Sequence, residues 1–78
     1  MPVARRPVMF LTEITMLPHQ LRVVEEKAAL DVKLGDLRPF LKSDTCYSLP
    51  MAERSRLYQQ EQVMTQYSRI LGERIANF

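Results

Sequence analysis

The 78-residue sequence predicts an all-α fold: a helical hairpin with a short N-terminal arm or helix, assembled into a compact homo-oligomer. Three observations predict it. Apolar residues recur at spacings of three and four along two long stretches, the only obvious turn cluster, KSDTCYS at 42–48, lies between them, and prolines stand near the expected helix ends. The domain division that follows is an arm over 1–17 and an αα-hairpin over 18–78.

The arm holds Pro2 and Pro7, which discourage a continuous helix, and Phe10, Leu11, Ile14 and Leu17, which offer apolar surface to bury. A short helix around 10–16 is compatible with that pattern. Pro18 suits the first turn of a longer helix, where its missing N–H costs nothing, and the strongly helical LRVVEEKAALDVKLGDL follows. Its packing seam runs Val23, Lys27, Leu30, Leu34, Leu37, so that Lys27 sets an ammonium where a hairpin would bury a methyl group. Gly35 is tolerated at some cost. Pro39 disfavours helical geometry at Arg38 and is expected to end or kink the helix there, leaving Phe40 and Leu41 in a last turn or loop.

After the turn cluster, SLPMAER reopens a helix, with Ser48 as the expected N-cap and Pro50 in the first turn. This helix runs to the end of the chain. Its seam is read as Leu57, Met64, Tyr67, Leu71 and Phe78, with Gln60 and Arg74 in the remaining places. Val24, Ala28, Val63 and Ile70 lie beside the seams and widen each stripe beyond what one partner helix covers. A two-helix domain of this size is marginal alone, so the hairpins are expected to pack on one another.

Composition bounds the function. With 46% hydrophobic and 26% charged residues and a net charge of +2, the chain is an ordinary globular sequence. Its basic residues are scattered and balanced by nine acids, which argues against a DNA or RNA polymer as partner. Cys46 is the single cysteine, so no intramolecular disulfide or CxxC pair can form, and one free thiol suits a reducing cytosol. The apolar run in MPVARRPVMFL is broken by Thr12 and Glu13, too early for a signal peptide or a membrane span. The expectation is a soluble intracellular protein with no membrane partner.

For catalysis the inventory is poor. His19 is the sole histidine, no nucleophile and base share a motif, and Gly35 and Gly72 form no phosphate-cradling loop; the chain reads as a non-enzyme without cofactor or metal. Glu25, Glu26, Asp31 and Asp36 lie among Arg22, Lys33 and Arg38, a pattern that local ion pairing explains. The polar residues on the apolar stripes are more informative. Lys27 either snorkels or holds an anion, the anion being a carboxylate reaching across from Glu61 or Glu73, or a phosphate. Tyr67 and Arg74 are one heptad apart; packing explains them too, but with Lys27 they supply a cation for phosphate, a planar guanidinium and a ring for base stacking. His19, Gln20 and Arg22 at the start of the first helix could add donors. Arg5, Arg6, Arg54 and Arg56 make a diffuse basic rim, of the kind that keeps a small protein soluble.

The stretch HQLRVVEEKAALDVKLGDLRPFL resembles the opening of the hairpin domain shared by phage anti-CBASS and anti-Thoeris cyclic-nucleotide sponges. SLPMAERSRLYQQEQVMTQYSRILGERIANF is similar to its second half, through the Ser-Leu-Pro helix start, the Met-x-x-Tyr-Ser segment and the terminal Arg-Ile. The resemblance covers about Pro18 to Phe78. It implies a helical oligomer, usually a hexamer, that binds cyclic dinucleotides of the cGAMP type between protomers without cleaving them. In the anti-CBASS branch cyclic trinucleotides occupy separate sites. Sequestration in the host cytoplasm would then keep the messenger from its effector. By the same resemblance Lys27 takes the place of the phosphate-binding lysine, Phe10 is the candidate for the N-terminal aromatic, and Tyr67, Arg69 and Arg74 match the second-helix pattern. The absence of an appended domain after the hairpin favours the anti-CBASS branch. The competing expectation is a helical-hairpin inhibitor that binds a host protein through its apolar stripe.

Overall fold

The computed structural model describes residues 16–78, and these form two long antiparallel helices joined by a short one. Helix α1 is Pro18–Leu41, α2 is Asp44–Tyr47 and α3 is Met51–Ala76, with no strand among the described residues. The N-terminal arm with Arg5, Arg6 and Phe10, and the helix expected around 10–16, lie outside the described residues.

Leu17, in extended geometry, caps α1, and Pro18 opens its first turn. The Leu17 N–H donates to the side-chain oxygen of Gln20 at 2.8 Å, which satisfies a donor that a helix start leaves exposed. The helix does not stop at Arg38. Pro39 sits inside its last turn, where the only bond it forfeits is the one to the carbonyl of Gly35. Tighter bonds close the end, from the Lys42 N–H to Pro39 at 3.1 Å and from the Ser43 N–H to Phe40 at 3.0 Å, while Leu41 is drawn into the core.

The turn cluster is itself ordered. Ser43 caps α2, accepting from the Cys46 N–H at 3.2 Å and donating its hydroxyl to the Phe40 carbonyl at 2.6 Å. Cys46 is fully buried as a small apolar plug under the corner. Ser48, expected to cap α3, instead closes α2, with its N–H to Asp44 at 3.0 Å and its hydroxyl to Thr45 at 2.7 Å. Pro50 takes the cap position of α3 because its fixed φ already points the chain into the helix.

The core joins Val23, Leu34 and Leu41 of α1 to Cys46 and to Leu71 of α3, with Leu30, Leu37, Leu57, Met64 and Ile75 half-buried around them. Covering a leucine as fully as Leu34 or Leu71 contributes about 2 kcal/mol. The α1 seam is as the spacing predicts. The α3 seam is rotated by one residue: Leu57, Glu61, Met64, Ser68, Leu71 and Ile75 face α1, while Gln60, Tyr67, Arg74 and Phe78 are exposed. Leu57, Met64 and Leu71 belong to both registers. In this register Lys27 and Arg38 of α1 meet Ser68, Glu61 and Thr65, and Ile75 joins the apolar side of the interface.

The rotation leaves Val63, Tyr67 and Ile70 as an exposed stripe on α3 at spacings of four and three. On α1, Leu21 and Val32 are exposed as well, and a β-carbon at Gly35 would meet open space. No described helix is long and apolar enough to cross a membrane.

Candidate functional site

Lys27 lies two turns into α1, where the 3.6-residue repeat carries its stem along the edge of the seam. Its ammonium donates to Asp31 Oδ2 at 2.8 Å, one turn along the same helix, and to Ser68 Oγ of α3 at 3.0 Å. Ser68, itself buried, donates its own proton to Asp31 Oδ1 at 2.5 Å. The three side chains therefore form a closed ring. Neither Glu61 nor Glu73 is the partner of Lys27, because each is taken by a nearer arginine. Glu61 meets Arg38 at 3.1 Å, with Thr65 accepting from the same guanidinium at 2.8 Å, and Glu73 meets Arg69 at 2.5 Å. The hydrogen bond from Lys27, then that from Ser68, holds the Asp31 carboxyl below the usual carboxylate range.

Room for the lysine comes from Gly72. A β-carbon there would stand 3.2 Å from Lys27 Cε, tighter than an ordinary contact. The stem is thus enclosed on the α3 side and the ammonium emerges at the edge, with the side chain 30% exposed.

Tyr67 donates its hydroxyl to Glu26 across the interface. That hydrogen bond is the main reason its phenol is held above the usual tyrosine range, and the nearby Arg74 opposes the shift. Glu26 and Lys27 are successive residues, as are Tyr67 and Ser68, so each pair diverges by about 100° around its helix. The cross-helix contacts Glu26–Tyr67 and Lys27–Ser68 accordingly lie on opposite edges of the hairpin. Within one chain, Lys27 and Tyr67 do not line a common pocket.

The other candidates divide along the same line. Gln20 and Arg69 fall on the Lys27 edge by helical spacing; Gln20 serves the start of α1, and Arg69 lines a shallow cleft with Glu61, Gln62, Thr65 and Gln66. His19, Arg22 and Arg74 are exposed and fall on the Tyr67 edge. Of the expected basic rim, Arg56 pairs with Glu53 at 2.8 Å and Arg54 lies 6.0 Å from the Tyr47 ring, so both have local roles. Spacing missed Asp31, Ser68, Gly72 and Glu26. The available signals were the i,i+4 separation of Lys27 from Asp31 and a glycine in mid-helix with no turn to explain it.

Among the described residues no cluster of histidine, cysteine or carboxylates is placed to hold a metal ion. What the Lys27 edge offers is a lysine whose side chain is partly exposed and whose ammonium, fixed by neighbours on two sides, has a third N–H donor. No match to the chain is found among curated proteins or among solved structures. The Sequestin family model matches residues 17–77, which takes in all three helices and both edges of the hairpin. The chain belongs to the Sequestin family, the cyclic-nucleotide sponges of phage anti-CBASS and anti-Thoeris defence.

Proposed function

We propose that this protein is a non-enzymatic phage anti-defence sponge. It binds cyclic dinucleotide messengers of the cGAMP type, and cyclic trinucleotides, in the host cytoplasm and keeps them from CBASS effectors. The observation that carries this reading is the family match across residues 17–77. The messenger sits between protomers of a hexamer, its phosphate on Lys27 and its bases against aromatic faces and arginines of a neighbouring chain. Two features of the hairpin support that arrangement. Lys27 and Tyr67 lie on opposite edges, so a pocket holding both a cation and this ring needs two chains. The uncovered stripe of Val63, Tyr67 and Ile70 supplies apolar surface for assembly.

Calorimetric titration with a panel of cyclic di- and trinucleotides tests it. Tight, saturable binding with the ligand recovered intact after denaturation is expected. Lys27→Ala should weaken dinucleotide binding at least tenfold while light scattering shows the oligomer unchanged, the size expected for losing one charge-assisted phosphate contact. No binding across the panel overturns the sponge and leaves the exposed stripe as the docking face of a host-protein inhibitor.

A further inference from the structure

We propose that Asp31 is a specificity-determining residue of the Lys27 site, admitting the singly charged phosphate of a phosphodiester and turning away a terminal phosphate that carries two charges. The proposal rests on Lys27 being a phosphate ligand. The ligand class it selects is the cyclic oligonucleotide, in which every phosphate is an internal diester, against linear oligonucleotides and nucleoside 5′-phosphates.

The geometry that points to it is the fixed position of the carboxylate. Asp31 is bound through both oxygens, one to the Lys27 ammonium at 2.8 Å and one to the Ser68 hydroxyl at 2.5 Å, so it cannot swing aside without breaking two charge-assisted bonds. Its side chain is 47% exposed, more than that of Lys27, which sets it at the mouth of the site. The ammonium is held toward α3 by its bond to Ser68, and the stem uses the space that a β-carbon at Gly72 would crowd. Any anion that reaches the third ammonium proton therefore arrives beside Asp31. That carboxyl stays ionised at neutral pH, since Lys27 and Ser68 lower its pKa.

Three cations of this edge each have an acid beside them. Lys27 is matched by Asp31, Arg38 by Glu61 and Arg69 by Glu73. A monoanionic diester gains a short hydrogen bond to Lys27 against one carboxylate. A terminal phosphate brings about −1.5 to −2 at neutral pH, and beside Lys27 its second charge meets the Asp31 carboxylate. In a half-exposed site, one like-charge approach of this kind is worth about a tenfold change in affinity. A sponge filtered in this way stays free of the linear nucleotides that would otherwise fill it.

The test titrates the full chain and Asp31→Asn with 3′,3′-cGAMP, with its ring-opened form pApG, and with ApG, which lacks the terminal phosphate. In the wild type, pApG is expected to bind more weakly than ApG despite its extra phosphate. In Asp31→Asn the ratio of cyclic to pApG affinity should fall about tenfold, through a gain for pApG. An unchanged ratio, or a wild type that prefers pApG to ApG, overturns the proposal; the second comparison needs no variant to fold. If the wild type binds no cyclic dinucleotide, the sponge reading fails first and takes this proposal with it. Binding of 3′,3′-cGAMP with an unchanged ratio leaves the sponge standing and removes only Asp31's role.

Discussion

Gly72 faces Lys27 across the helix interface so closely that a β-carbon at position 72 would stand 3.2 Å from Lys27 Cε. In an open helix interior, Gly→Ala stabilises by about 1 kcal/mol. Here the new methyl would press on a stem tethered at its tip by Asp31 and Ser68. Gly72→Ala should therefore gain clearly less than about 1 kcal/mol in the wild type and the full increment in a Lys27→Ala background. Urea unfolding of the four proteins at one concentration measures the coupling, and equal gains in both backgrounds would show that the contact is absent.

Asp31 also makes an acid signature. Its pKa is lower in the folded chain than in the unfolded one, so the unfolded chain binds the proton more readily. The stability it contributes is present above the ordinary carboxylate range and is lost as pH falls through the lowered value. Thermal melts from neutral pH into the acid range should fall less steeply for Asp31→Asn than for the wild type. Parallel curves would mean that the Lys27–Asp31–Ser68 ring does not persist in solution.

Tyr67 behaves in the opposite sense. Its phenol is raised chiefly by donating to the Glu26 carboxylate, so the stability this bond gives is complete below the ordinary tyrosine range and disappears as pH rises through the raised value. The chain has three tyrosines and no tryptophan, so tyrosinate absorbance reports them cleanly. Glu26→Gln should move the ionisation of Tyr67 to lower pH, seen as a change in the tyrosinate curve that Tyr67→Phe removes. A tyrosinate curve that Glu26→Gln leaves unchanged would remove the Glu26–Tyr67 bond.

The α1 seam and the helix boundary at Pro18 were legible in the sequence because leucine and valine recur there without competition. The α3 seam was not. Leu57, Met64 and Leu71 fit two registers, and the alternates Gln60, Tyr67 and Arg74 look no less suited to a seam than Glu61, Ser68 and Ile75. Choosing between them requires knowing what sits opposite, where Lys27 meets Ser68 and Arg38 meets Glu61. The same one-residue rotation separates Lys27 from Tyr67, which their chemistry and their places on the two expected seams group into a single constellation. Pro39 misled for a simpler reason: a proline in the last turn forfeits one bond, and burying Leu41 outweighs it.

Assembly can be tested on the stripe this rotation exposes. Val63 and Ile70 are 65% and 43% exposed on the side of α3 turned away from the hairpin core. A glutamate at either position remains in water in an isolated chain, where surface substitutions change stability by less than about 0.5 kcal/mol. Buried between protomers, the same carboxylate would be unpaired and costly, on the order of 3 kcal/mol or more. Val63→Glu combined with Ile70→Glu should thus yield a smaller species by light scattering with its helical circular dichroism retained. Cyclic dinucleotide binding should be lost with it, although Lys27 and its partners are untouched. Val32→Glu on α1 is the matched control, since Val32 is equally exposed but on the other helix. If the double variant keeps the wild-type mass while Val32→Glu loses it, protomers meet through α1 instead, and a pocket shared between chains must be built from that face.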